Sequence, residues 1–153
     1  MPRPSERLAE LGIVLPPVAA PVAAYVPALL DAGTIVTSGQ LPFVGGELAY
    51  RGKVGESVSE ADAKDAARIA VLNALAAAAD VAGGVDRISR VLKVVVYVAS
   101  AVDFTGQPSV ANGASELLGE VFGEAGAHVR SAVGVAVLPM DTPVEVELTV
   151  SVA

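Results

Sequence analysis

The chain has 153 residues, a formal net charge of −7 and no cysteine, a length that buries one core and predicts a single domain over residues 1–153. The missing thiols exclude a disulfide framework, thiolate metal ligation and a cysteine nucleophile, and they fit a reducing compartment, expected to be the cytoplasm. The acidic balance repels phosphate backbones and speaks against nucleic acid as a partner, while 53% hydrophobic residues with only 4% aromatics suit close helix-on-sheet packing and buried contacts between subunits.

Met1 to Glu10 is polar, with no apolar run behind a basic start, so no export signal is expected. Ser5 to Leu11 reads as a short peripheral helix, with Ser5 as its N-cap and Gly12 ending it in a left-handed conformation. Pro16, Pro17 and Pro21 then impose an extended entry segment outside any central strand. Tyr25 to Leu30 and Thr34 to Ser38 are strand-like runs joined by Asp31, Ala32 and Gly33, a loop of hairpin length. Gly39 to Val58 carries five glycines and reads as a long loop with a short extended piece around Leu48 to Tyr50. Its glycines lack the spacing of a phosphate cradle.

Ser59 is a natural N-cap for an alanine-rich helix running to about Ala82, with Glu60 and Asp62 in its first turn and Gly83 and Gly84 beyond its end. Ile88 to Ala99 is dense in valine and is expected to be a strand buried on both faces, central in the sheet. Its apolar run falls far short of the roughly 20 residues of a membrane-spanning helix, so no membrane partner is expected. Pro108 opens a second helix, in which Val110, Ala114, Leu117, Leu118 and Val121 recur at helical spacing before Gly123 and Gly126 close it. Ser131 to Val137 and Val144 to Val152 both alternate, linked through Pro139 and Pro143. The order is ββαβαββ, an α+β architecture.

On the strand from Arg130 to Val137, Val133, Val135 and Val137 share one face, expected to lie under the helices, and Arg130, Ala132, Gly134 and Ala136 share the other. On the last strand Val144, Val146, Leu148, Val150 and Val152 oppose Glu145, Glu147, Thr149 and Ser151. This reading sets Arg130 and Glu145 on one small, polar side of the sheet, open to solvent or packed on another copy. A guanidinium there can clamp a carboxylate, and a nearby carboxylate can orient water or move a proton. The plainer alternative makes Arg130 a surface ion-pair residue and Glu145, with Glu147, a solvated stripe. His128, the one histidine, has no evident carboxylate partner and reads as an exposed or capping residue rather than a general base.

Three segments occur in order: Ile35-Val36-Thr37-Ser38-Gly39-Gln40-Leu41-Pro42, then Val129-Arg130-Ser131-Ala132-Val133-Gly134-Val135, then Leu138-Pro139 followed by Val144-Glu145-Val146-Glu147. They resemble the Rid/YjgF family of reactive intermediate deaminases, formerly labelled endoribonuclease L-PSP. The run from Asp103-Phe104 to Asn112 is also similar, so the resemblance reaches from roughly Pro21 to the C-terminus and points to the family's longer branch. It implies a chorismate-mutase-like mixed sheet with two helices on one face, assembled as a homotrimer with pockets between subunits. The implied reaction is hydrolytic deamination of 2-aminoacrylate-like enamines and imines to 2-keto acids and ammonia, with no metal or organic cofactor.

By motif, Arg130 would grip the substrate carboxylate and Glu145 would hold the attacking water. Tyr25, Ser38, Gly39, Gln40, Asn112 and Ala132 would line the site. Ala132 stands where many members carry cysteine, and the glycine-rich segment after Pro42 is longer than in the short members. A second hypothesis uses the same pocket without turnover, as a binding protein or sensor for small keto or aromatic carboxylates. A structural trimer would instead pair Arg130 and Glu145 with each other or across subunits, and a ribonuclease is disfavoured by the acidic charge.

Overall fold

The computed structural model describes residues 2–19 and 24–153. Helix α1 spans Pro4–Glu10 and takes Arg3, not Ser5, as its N-cap. The Glu6 carboxylate accepts the Arg3 backbone N–H at 2.9 Å, and Pro4, which has no N–H to leave unpaired, suits the first turn. Ser5 is used otherwise: the Asp86 carboxylate accepts its backbone N–H at 2.8 Å and its hydroxyl at 2.7 Å. Gly12 follows at φ +70°, as a left-handed helix end requires. Pro16 and Pro17 lie in no helix or strand, and Pro21 lies outside the described residues.

Strands β1 (Ala28–Asp31) and β2 (Thr34–Thr37) form the first hairpin. β1 begins three residues later than the sequence suggests, because Pro27 has no N–H to give a ladder. The connection is two residues, Ala32 and Gly33, both at positive φ (+50° and +78°), the turn geometry whose twist suits paired strands. In the glycine-rich segment, β3 (Phe43–Val44) and β4 (Glu47–Leu48) make a separate two-stranded sheet, so the extended pieces lie earlier than 48–50. Ser59 accepts the Asp62 N–H at 3.1 Å and caps α2 (Glu60–Ala82), which Gly83 ends at φ +86°.

The main sheet adds β5 (Ile88–Ala99), β6 (Val129–Val135) and β7 (Val144–Val152) in the order β1-β2-β7-β5-β6. β7 is the middle strand, with β5 beside it. Only β5 and β6 run parallel, and the crossover between them carries α3 (Gln107–Phe122). α2 packs on β1, β2 and β7, and α3 on β5 and β6. Beneath them Val144, Val146, Leu148 and Val150 of β7 and Val91, Val94, Val96 and Val98 of β5 are fully buried, each worth about 1.5–3 kcal/mol relative to exposure.

The other face is open. Lys93 is exposed and Val95 and Tyr97 are half-buried, so β5 is not buried on both sides within one chain. The β6 register sets Arg130 opposite Val94, Ala132 opposite Val96 and Gly134 opposite Val98, which turns these three toward the helices. The valine face expected there points away: Val133 and Val137 are 44% and 71% exposed, and Val129 on the same side is 67% exposed. Alternation defines two faces but does not say which one a helix covers, and in β6 it is the face of Arg130 and Ala132, both half-buried, that turns to α3.

The two helices lie close together. A Cβ at Gly113 of α3 would sit 2.0 Å from the Lys64 carbonyl oxygen of α2, whereas one at Gly119 would meet nothing within 4 Å. Ala ordinarily exceeds Gly in a helix by up to about 1 kcal/mol, so Gly119→Ala is expected to stabilise the fold by about 0.5–1 kcal/mol. Gly113→Ala must move backbone and is expected to destabilise by about 1–3 kcal/mol. Urea unfolding of the two variants checks both signs; equal shifts would show that the helix contact is not tight at Gly113.

Candidate functional site

Arg130 stands near the start of edge strand β6, its side chain turned to the first turns of α3. Pro108, Asn112 and Ser115 succeed one another at helical spacing on that side of α3. Nη1 donates to Asn112 Oδ1 at 2.8 Å and to Ser115 Oγ at 3.1 Å, and Nη2 donates to the Pro108 carbonyl at 3.3 Å. All three acceptors are neutral, and Arg130 makes no ion pair among the described residues. A guanidinium has five N–H donors, so the three bonds leave the Nε hydrogen and one on Nη2. Those two are what a planar carboxylate needs for a paired grip.

The neighbouring small residues make the space. A Cβ at Gly134 would lie 2.7 Å from Gln107 Nε2 and 3.1 Å from Ser100 Oγ. Gln107 itself donates to Phe104 O at 2.8 Å and to Ser100 Oγ at 3.3 Å, tying the α3 entrance to the end of β5. Ala132, between Arg130 and Gly134, packs against the core and offers no polar side chain. His128 is half-buried and bonded rather than free in solvent: its Nε2 lies 2.8 Å from Ser115 Oγ and its Nδ1 2.7 Å from the Gly126 carbonyl oxygen. A shallow cleft lined by Ser115, Gly119, Gly123, Gly126, Ala127 and His128 opens beside the arginine.

Glu145 lies elsewhere. It is opposite Tyr97 in the β5–β7 ladder, whereas Leu148 is opposite Val94, so its side chain shares the open face with Glu147 and not the helix face with Arg130. The expectation that Arg130 and Glu145 lie on one side is therefore overturned. With the sheet and strand β5 between them, they cannot hold one small molecule within a single chain. What Glu145 does meet is the turn after β2: a Cβ at Gly39 would fall 2.3 Å from its Oε1, so glycine there lets the carboxylate lie against the backbone.

Gln40 continues the ladder, exchanging backbone bonds with Val146 at 2.8 and 2.9 Å, and is itself buried. The Ser38 hydroxyl is committed to the Val26 carbonyl at 2.6 Å and its N–H to Pro27 O at 2.8 Å. Tyr25, next to Val26 in the chain, is 45% exposed. Ser38, Gly39, Gln40 and Glu145 thus form one cluster, with Tyr25 entering it by chain proximity, and Arg130, Asn112 and Ala132 form another. Ser115 and Tyr97 are the members that sequence reasoning missed, the spacing of Asn112 and Ser115 on one helix being the available signal for the first, and His128, expected to be exposed or capping, joins Ser115 here. Tyr97 donates its hydroxyl to Glu147 Oε1 at 3.1 Å.

Burial, and to a smaller degree the Glu147 carboxylate, raise the pKa of Glu145 above its ordinary value of 4.5. Burial first, then the bond to Glu147, likewise raises that of Tyr97. No group of three or more His, Asp or Glu side chains among the described residues is placed to hold a metal ion, and no described helix is long and apolar enough to cross a membrane. Because the folded chain holds the Glu145 proton more tightly than the unfolded chain, ionised Glu145 costs stability at neutral pH. That cost fades as pH falls through its raised pKa toward 4.5. Glu145→Gln is expected to be more stable than wild type at neutral pH and to lose the advantage below about pH 4.5, by thermal melts across pH. A pH-independent difference would show that the Glu145 charge is not what the fold pays for.

Comparison with known proteins agrees with this architecture. Residues 5–151 match the family described as "YjgF/chorismate_mutase-like, putative endoribonuclease". Protein TCP17 of Trypanosoma cruzi is 42% identical over 151 residues, covering 97% of this chain and 93% of that protein. The crystal structure of a putative endoribonuclease from Shewanella oneidensis superposes with a TM-score of 0.95 at 32% identity, over 99% of this chain and 100% of that one. Atu1372 of Agrobacterium tumefaciens, a protein of unknown function, gives 0.87 at 40% identity, over 97% and 91%. With nearly its whole length matched in sequence and in fold, the chain belongs to the YjgF family.

Proposed function

We propose that this protein hydrolyses small 2-imino acids, and the enamines that give rise to them, to 2-keto acids and ammonia, in sites built between copies of the chain in a homotrimer. The observation that carries this reading is Arg130: a cation held by Asn112, Ser115 and the Pro108 carbonyl, paired with no acid among the described residues, with two N–H groups left for a carboxylate. The reacting carbon then sits beyond the carboxylate, toward Glu145 of a neighbouring copy. An enamine takes a proton at its terminal carbon to become the imine. Water adds to the imine carbon as Glu145 takes one of its protons and passes it to the nitrogen, giving a carbinolamine; the carbinol hydroxyl then gives up its proton, by way of the same carboxylate, to the nitrogen, the C–N bond breaks, and ammonia leaves as the carbonyl forms.

A carboxylate whose pKa is raised by burial is a stronger base toward the attacking water than an exposed one. The open face supports assembly, since Leu29, Val36, Val129 and Val133 expose between 44% and 67% of their surface there. Isolated exposed aliphatics are ordinary; a set of them on one sheet face favours a covering partner. The nuclease wording attached to relatives is not carried over, because a chain of net charge −7 with one unpaired arginine at its site makes a poor phosphate-backbone binder.

The test is release of ammonia and pyruvate from enzymatically generated 2-aminoacrylate. Arg130→Ala is expected to cut kcat/KM by about 10- to 100-fold, the value of a hydrogen bond to a charged group, and Glu145→Gln to cut kcat by about 100-fold or more. Refolding the two impaired variants together should regain activity, because a mixed trimer contains a site with Arg130 from one copy and Glu145 from the next. Pyruvate binding without turnover would leave a carboxylate sensor, and a monomer in sedimentation, or no complementation, would refute the shared site.

A further inference from the structure

Asn112 and the Pro108 carbonyl fix two positions on the Arg130 guanidinium, and the third support is a hydroxyl. Ser115 Oγ accepts an Nη1 hydrogen at 3.1 Å and lies 2.8 Å from His128 Nε2, while His128 Nδ1 lies 2.7 Å from the Gly126 carbonyl oxygen. A carbonyl oxygen only accepts, so Nδ1 carries the hydrogen, and an imidazole with its one hydrogen there presents a lone pair at Nε2. The Ser115 hydroxyl then donates to Nε2 and turns its own lone pairs to the guanidinium. A hydroxyl rotor lacking that acceptor is free to point its hydrogen at the cation, where it repels rather than supports.

The rest of the cleft supplies no substitute. Apart from Ser115, His128 and Arg130 its lining is Gly119, Gly123, Gly126 and Ala127, and His128 makes no ion pair among the described residues. The ring is thus fastened by the Gly126 carbonyl in the tautomer that suits Ser115. We propose that His128, acting through Ser115, is a positioning residue that holds the Arg130 guanidinium in the plane required by a 2-keto or 2-imino carboxylate. This rests on the reading of Arg130 as the carboxylate clamp, and gives the lone histidine a role other than proton transfer to substrate.

The experiment titrates pyruvate into wild type, His128→Leu, His128→Gln, Ser115→Ala and Arg130→Ala by calorimetry, and follows the nitrogen and carbon resonances of the imidazole. With one histidine in the chain, that spectrum is unambiguous. His128→Leu and Ser115→Ala are expected to bind pyruvate about threefold to tenfold more weakly, the value of one neutral hydrogen bond, with KM for the imine rising in parallel and kcat within about twofold. His128→Gln, whose Oε1 can accept from Ser115, should recover most of the loss, which a merely structural histidine would not predict. Wild type should show the Nδ1–H tautomer, with an Nε2 resonance that pyruvate moves in wild type and leaves in place in Arg130→Ala.

Wild-type affinity in both His128→Leu and Ser115→Ala, alongside loss in Arg130→Ala, would overturn the positioning role and leave the clamp standing. An Nε2–H tautomer would overturn it as well. Failure of wild type to bind pyruvate at all would overturn the clamp, and this role with it.

Discussion

The register of β5 against its two neighbours governs everything placed on the sheet. Val94 stands opposite Leu148 on one side and Arg130 on the other; Tyr97 stands opposite Glu145 and Val133. Residues 94 and 97 differ in parity, so one ladder delivers the arginine beneath α3 and the other delivers the glutamate to the open face. Slipping β6 by a single residue would send Arg130 away from Asn112, Ser115 and Pro108 and drive Val129 and Val133 into the helix. The small side chains at Ala132 and Gly134, with Gln107 seated over the latter, therefore fix the arginine's direction as surely as any bond to it does.

This separation keeps two charges uncompensated. In an ordinary surface, an arginine and a glutamate on adjoining strands tend to pair, gaining little and answering to nothing else. Here the guanidinium is surrounded by neutral acceptors, and the Glu145 carboxylate has another carboxylate, Glu147, as its charged neighbour. Each charge retains its reach toward a third party. Holding them apart on a sheet keeps either charge from being quenched by collapse onto the other.

Much of this was legible in the chain, and the failures share a cause. α2 was readable because Ser59 and Gly83 bracket an uninterrupted alanine-rich run, and β5 and β7 because their valines are dense and bounded by turn residues. The α1 cap and the start of β1 were misplaced through local rivals: Glu6 serving the Arg3 N–H, and Pro27 denying one. The facing of β6 failed for a deeper reason. Both of its faces are apolar or small, so the choice between them is made by the packing of α3 and more distant elements. Arg130 and Glu145 could be picked out by residue type and flanking motif; Ser115, His128 and Tyr97 join them only through contacts between elements far apart in sequence.

The exposed branched side chains on the open face carry a thermodynamic consequence of their own. Leu29, Val36, Val129 and Val133 form a surface that exists only once the sheet has assembled, so whatever covers it binds the folded chain and ignores the unfolded one. By mass action such a cover adds to stability in proportion to the logarithm of its free concentration. With a second copy of the chain as that cover, as proposed above, the melting temperature becomes a property of the solution as much as of the sequence, and dilution acts as a mild denaturant.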